Sequence, residues 1–153
     1  LSLSVFGSLL RLDQSGLENR DRWSAQLVLG RRFTEWLSFA LVPTYAAHTN
    51  YIDPQDTRGT SAIGVEAEVR LSSSIALTGE WVGQVGGVEA QYQTGSLGLL
   101  IHTSKHTFNL MLTNAPGSHT DIYAPGGDLS WQSGDFRLGF NISRIWDLGR
   151  KPR

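Results

Sequence analysis

Residues 60–85 read TSAIGVEAEVRLSSSIALTGEWVGQV, and their alternation decides the fold. Ile63, Val65, Ala67, Val69 and Leu71 alternate with Gly64, Glu66, Glu68 and Arg70. After Ser72 and Ser73 the pattern restarts, with Ile75, Leu77, Gly79 and Trp81 against Ala76, Thr78, Glu80 and Val82. Side chains of a strand point to opposite faces with a period of two, so the stretch predicts two antiparallel strands joined by a tight turn. One face of this hairpin is apolar and the other carries Glu66, Glu68, Arg70 and Glu80. A soluble sheet shares that property, so the solvent is decided by the rest of the chain.

Working outward, the same parity recurs. Strands are expected at about 1–11, 22–32, 36–47, 92–103, 106–114 and 135–146, giving about eight with the hairpin. Asp13–Asp21, His48–Gly59, Gly86–Gln91 and Ala115–Gly134 are polar and turn-rich, hence loops. The last is the longest, with a short strand expected near Asp128–Gln132 that extends a hairpin beyond the sheet. Pro43 cannot donate to a ladder and marks a bulge or local break. Connections alternate long and short along the whole chain. Each strand is about 9–12 residues, the length a tilted strand needs to cross about 30 Å of hydrocarbon.

That combination predicts an all-β, antiparallel, up-and-down transmembrane β-barrel. Outer-membrane barrels have long external loops and short periplasmic turns. Hydrocarbon offers no hydrogen-bond partner, so a spanning sheet must close on itself. The polar parity set, Glu66, Glu68, Arg70, Glu80, His102, Asn109, Arg137 and Asn141, is expected to face the lumen. The opposite set is expected to face lipid. Aromatic belts are expected at Trp23, Tyr45, Trp81 and Phe136 near the long-loop ends, and at Phe33, Trp36, Phe108 and Trp146 near the short turns. A lipocalin-like barrel would satisfy the parity with its faces inverted; loop alternation and strand length favour the membrane.

Composition bounds function. The chain has 153 residues and a net charge of -1, which gives no electrostatic case for nucleic acid. Without cysteine, neither disulfides nor thiolate metal sites are available. No apolar run is long enough for a transmembrane helix. The chain opens on Leu1, already strand-like, and reads as a processed product or a piece of a longer protein. Residues 1–146 form the expected barrel domain and 147–153 a short basic tail on the periplasmic side, disordered or touching anionic headgroups.

WSAQLVLGRRFTEWLSFALVPTYAAHTN, the hairpin, HTFNLMLTNAPG and RLGFNISRIW together resemble the C-terminal part of a bacterial family of unknown function. Its members are described as predicted outer-membrane β-barrels. The motifs carrying the likeness are Arg31-Arg32-Phe33 with Leu37-Ser38 and Pro43-Thr44-Tyr45, then His106-Thr107-Phe108 with Leu112-Thr113-Asn114, and Leu138-Gly139-Phe140-Asn141-Ile142 with Arg144. The resemblance spans about residues 22–146 and implies an outer-membrane barrel without an established activity. Family members carry further strands upstream, so the eight strands either close alone or belong to a barrel of about ten to twelve.

The candidate roles follow. Glu66, Glu68, Arg70 and Glu80 form either a charge constriction or a plug of mutually paired charges. Eight strands leave an interior just filled by side chains, whereas twelve leave a narrow channel. The leading expectation is an anchoring or structural barrel, or a subunit of an envelope assembly, in the bacterial outer membrane. The alternatives are a small porin-like channel for polar solutes and a barrel hydrolase using Ser96, His102 and Glu80. Expected partners are the bilayer, its lipopolysaccharide and other envelope proteins. His48, Asp53, Asp56, His119 and Asp121 match no metal-binding spacing, so no metal or cofactor is expected. Gly86-Gly87 and Gly126-Gly127 read as turns, because no helix follows to make a phosphate cradle.

Overall fold

The computed structural model describes residues 1–12, 20–50, 56–88 and 90–145. The predicted strands form as β1 (Ser2–Leu12), β2 (Arg20–Arg32), β3 (Leu37–Ala46), β4 (Thr60–Arg70), β5 (Ile75–Gly87), β6 (Thr94–His102), β7 (His106–Thr113) and β8 (Arg137–Arg144). They make one antiparallel sheet in sequence order, β1 through β8. β1 and β8 are its two edges, and no pairing joins them among the described residues. The result is a curled half-barrel, so these eight strands do not close alone.

The register fixes which residues share a face. In the opening hairpin Glu66 lies opposite Glu80, Gly64 opposite Val82 and Val65 opposite Trp81. Following the pairs across the sheet puts Gln26, Thr44, Glu66, Glu80, Ser96, Thr113 and Arg137 on one face. Leu27, Leu41, Val65, Leu77, Leu97, Leu110 and Phe140 lie on the other. Leu77, Leu97 and Leu138 are 46%, 59% and 75% exposed, so the apolar side is the bare one and there is no inward core of leucines among the described residues.

That outer face carries an uncharged band. Among the described strand side chains pointing outward, charge occurs at Asp21 towards the long-loop end and at Arg31 and Arg144 towards the short turns. From Asp21 to Arg31 is about 33 Å of strand, or about 25 Å of height at a tilt of about 40°, the height of a membrane barrel's apolar band.

Two departures from ideal strands have local causes. The β2–β3 ladder pairs Gln26 with Thr44 and resumes only at Leu29 with Leu41, skipping the stretch opposite Pro43, which has no N–H to give. On its other side Pro43 stays in register with Ile63. The β4–β5 register shifts between Ser61 and Ala62 where β5 ends on Gly87, at φ +104°. A Cβ on Gly87 would collide with the carbonyl of Gly59, so only glycine lets the two chains approach there.

The 114–136 connection differs from expectation. Instead of a strand extending outward, it holds a short helix, α1 (Thr120–Tyr123), and a 3-10 turn at Trp131–Ser133. Among the described residues its only strand-like contact is the bridge between Tyr92 and Gly127. It folds inward because the polar face offers it partners.

Candidate functional site: the concave face and its inward loop

Tyr123 shows how far the sheet curls. Its hydroxyl accepts a 2.8 Å hydrogen bond from Nε2 of Gln26 on β2, while its carbonyl accepts a 2.8 Å bond from the Thr94 hydroxyl on β6. β2 and β6 are four strands apart, about 19 Å across a flat sheet. One residue spans them only because the polar face is concave. Around it Ala46, Ala62, Val82 and Ala124 form a small buried cluster, with Tyr123 packed on it. Burial raises the Tyr123 phenol above its ordinary value of 10.0.

The loop's two ends are fastened to the rim. Asn114 is fully buried: its Nδ2 donates to the carbonyls of Gln93 (2.9 Å) and Leu129 (3.1 Å), and its Oδ1 accepts from Gly95 N–H (2.8 Å). A Cβ on Gly127 would overlap the Asn114 amide, which requires glycine there. Arg137 grips Asp128 with both guanidinium arms, Nη2 to Oδ2 at 2.8 Å, and donates to the Ala115 carbonyl at 3.2 Å. The Arg137 hydrogen bonds hold the Asp128 carboxyl below its ordinary 3.8. Nearer the middle, Arg22 on β2 meets Asp121 of α1 at 3.5 Å.

All eight residues expected in the lumen share the concave face by register. They do not form one cluster. Arg137 belongs to the loop clamp. Arg70 pairs with Glu68 at 3.5 Å beside the short turns, in a cleft of about 340 Å³ shared with Ser38, Ser2 and Glu66. Glu80 accepts a 3.2 Å bond from the Ser96 hydroxyl and faces Glu66 directly. His102 Nδ1 is 3.1 Å from the Thr107 hydroxyl. Asn109 and Asn141 are opposite one another on β7 and β8. Ser96 and His102 stand six positions apart on β6, about 20 Å, so the hydrolase constellation is not assembled in this geometry.

The aromatics lie outward. Trp23 and Tyr45 touch, with ring centroids 5.2 Å apart, where β2 and β3 meet the long loops. Phe33 sits edge-on to Phe39 at the first short turn, under the Arg31 guanidinium 5.1 Å away. Trp36 is exposed in that turn, and Phe108 lies near the β6–β7 turn beside His106. Phe136 stacks with Trp131 at the base of the inward loop. Trp81 is the central residue of β5, yet it pairs with Gly95 near the start of β6, because the strands are staggered. Trp146, Asp53 and the tail 147–153 lie outside the described residues.

The loop acids have structural partners. Asp56 accepts from Asn50 Nδ2 at 2.8 Å and pairs with Arg58 at 2.7 Å, which hold its carboxyl well below the usual carboxylate range. His48 Nδ1 lies 2.9 Å from the Asp21 carbonyl. No group of three metal-ligating side chains occurs among the described residues.

The inward loop is the functional feature that the parity argument missed. Its signal was present: Ala46, Ala62 and Val82 are small or apolar residues on the polar side, all near the long-loop end.

Among curated proteins and solved structures none matches the chain. The family described as Membrane bound beta barrel domain (DUF5777) matches residues 11–146, nearly the whole of the sheet just described. The uncharged outer band, the open polar concavity and that match agree, and the chain belongs to this family of membrane-bound β-barrel domains.

Proposed function

We propose that this domain forms the wall of a narrow outer-membrane channel for small polar solutes. The observation that carries the reading is that eight strands curl into an arc whose polar face is continuous and whose edges, β1 and β8, are unpaired. Bare strand edges are not tolerated in hydrocarbon, so closure needs more strands between β1 and β8. A barrel wider than eight strands has room inside that its own side chains do not fill. Long loops placed on the cell exterior and short turns in the periplasm follow the usual asymmetry of such barrels.

Charge on the concave face favours cations. Arg22, Arg70 and Arg137 are matched by Asp121, Glu68 and Asp128, and Arg32 stands at the short-turn rim, while deeper in the concavity Glu66 and Glu80 face each other with the Ser96 hydroxyl beside them. Planar-bilayer recording of the complete, closed barrel that contains this domain tests this. We expect small, cation-favouring conductance that loses its preference in the doubly substituted Glu66→Gln/Glu80→Gln protein. Absence of conductance from folded protein would sink the channel.

The second reading is an anchoring barrel within an envelope assembly. The inward loop favours it, because α1 and Tyr123 obstruct the concavity. Stable co-purification with other envelope proteins in mild detergent, together with an impermeable barrel, is the result that selects it.

A further inference from the structure

The inward loop is built in two parts with different fastenings. Its root is locked to the rim by the buried Asn114, by the Arg137–Asp128 pair, and by the two bonds joining Tyr92 and Gly127, at 3.2 and 2.8 Å. Each of these ties the root to a strand end that it directly adjoins. The tip, residues 118–124, reaches across the concavity to strands on the far side. It is held there by the Arg22–Asp121 ion pair at 3.5 Å, by packing of Ala124 on Ala46, Ala62 and Val82, and by Gln26, through both ends of one side-chain amide: Nε2 to the Tyr123 hydroxyl at 2.8 Å, and Oε1 from the Thr120 hydroxyl at 3.4 Å. Thr44 is the second partner of that Nε2, at 3.3 Å.

A cavity of about 390 Å³ opens beside the tip, between it and β5–β8. Tyr123, Glu80, Thr94, Ser96 and Thr113 line it, and Gly117 and Ser118 form part of its loop side. The tip therefore bounds this cavity, with a phenol on one wall and a carboxylate on the other.

We propose that segment 118–124 is the size-limiting element of the lumen, with Tyr123 the residue that narrows it and Gln26 the positioning residue that holds Tyr123 in place. This rests on the channel reading above. The root keeps the segment at the mouth whether or not the tip is docked, so the tip moves without the loop leaving the barrel. Solutes of the class admitted are uncharged or cationic polar molecules that fit beside Tyr123 and can exchange hydrogen bonds with Glu80, Thr94 and Ser96. Pore width and the donors and acceptors lining it set such selectivity.

The test uses the complete barrel to which this domain belongs, in phosphatidylcholine–phosphatidylglycerol vesicles, with swelling measured in uncharged sugars from a pentose to a trisaccharide. Tyr123→Ala, Gln26→Ala and a variant whose residues 118–124 are replaced by a glycine–serine segment of equal length are compared with the parent. We expect trisaccharide entry to rise roughly threefold or more in all three, with pentose entry changing less. These 153 residues hold no cysteine, so Ala124→Cys supplies their single reporter thiol, with any thiol elsewhere in the barrel replaced by serine. Its labelling by a membrane-impermeant maleimide is expected to be about fivefold or more faster with Gln26→Ala added, which removes both of its hydrogen bonds to the tip.

A parent protein that passes sugars with the same size limit in all three variants overturns this inference and leaves the channel standing. No entry in any protein, the glycine–serine variant included, overturns the channel and the size-limiting role together. Unchanged labelling of Ala124→Cys removes Gln26 as the positioning residue even where Tyr123→Ala widens the limit.

Discussion

The concave face is not uniform: its long-loop half and its short-turn half solve different problems. Near the long loops the inward side chains are small or neutral, or, at Arg22 and Arg137, paired with acids of the inward loop. Ala46, Ala62 and Val82 are nearly inaccessible and pack with Ala124 of that loop. Near the short turns the same face carries Glu66, Glu68 and Arg70 around an open cleft. The lesson is that polarity along a lumen follows what covers it. Where protein covers the wall, volume and shape matter; where water covers it, charge is tolerated.

The contrast fails first where a charge meets the covered half. Val82→Arg buries a guanidinium against Ala124 and Tyr123, and a buried charge without a partner costs several kcal/mol. We expect a loss of about 3–5 kcal/mol of stability by urea unfolding in vesicles, with the loop expelled if the sheet survives. An unaffected protein would mean that the two halves are equivalent.

Asn114→Ala probes how the cover is fastened. It strands the Gly95 N–H and the carbonyls of Gln93 and Leu129, and unsatisfied buried groups cost about 1–3 kcal/mol each. We expect a destabilisation near 3 kcal/mol and protease cutting within 114–136 that the parent resists.

The Arg137–Asp128 clamp adds a pH dependence. Asp128 has a lowered carboxyl pKa in the folded state, so its contribution is present above its ordinary 3.8 and is lost as pH falls through the lowered value. Faster cutting within 114–136 by pepsin as pH falls below the ordinary 3.8, a pH dependence absent from Asp128→Asn, is the expected signature. At the open half the effect is smallest. Glu68→Gln breaks a partly exposed ion pair with Arg70 and is expected to change stability by under about 0.5 kcal/mol.

The sheet was legible in the sequence because its signal is periodic. Leu77, Leu97 and Leu138 had to share a face once the strands were in register, and a period of two leaves little freedom. The motif pairs around Pro43 and Asn114 likewise fell in the elements expected of them. Closure was not legible, since parity is identical for an open arc and a closed ring. The inward loop was misread because APGSHTDIYAPGGDLSWQSG has no period, and its glycines and prolines spell turns without direction. Its docking depends on Gln26 and Thr94, which are 97 and 29 residues from Tyr123. Glu66, Glu68, Arg70 and Glu80 share a face by register, but their division between a short-turn ion pair and a facing pair of carboxylates was not legible in the alternation.

One consequence concerns the gap that Pro43 leaves in the ladder. Gln26 and Thr44 are the last paired residues before it, so the side chain that reaches for Tyr123 is rooted at the margin of an interruption in the wall. Lateral give of β2 against β3 at that interruption would draw Gln26 away from Tyr123. The fold thus sets a break in its own ladder beside the contact that spans the opening.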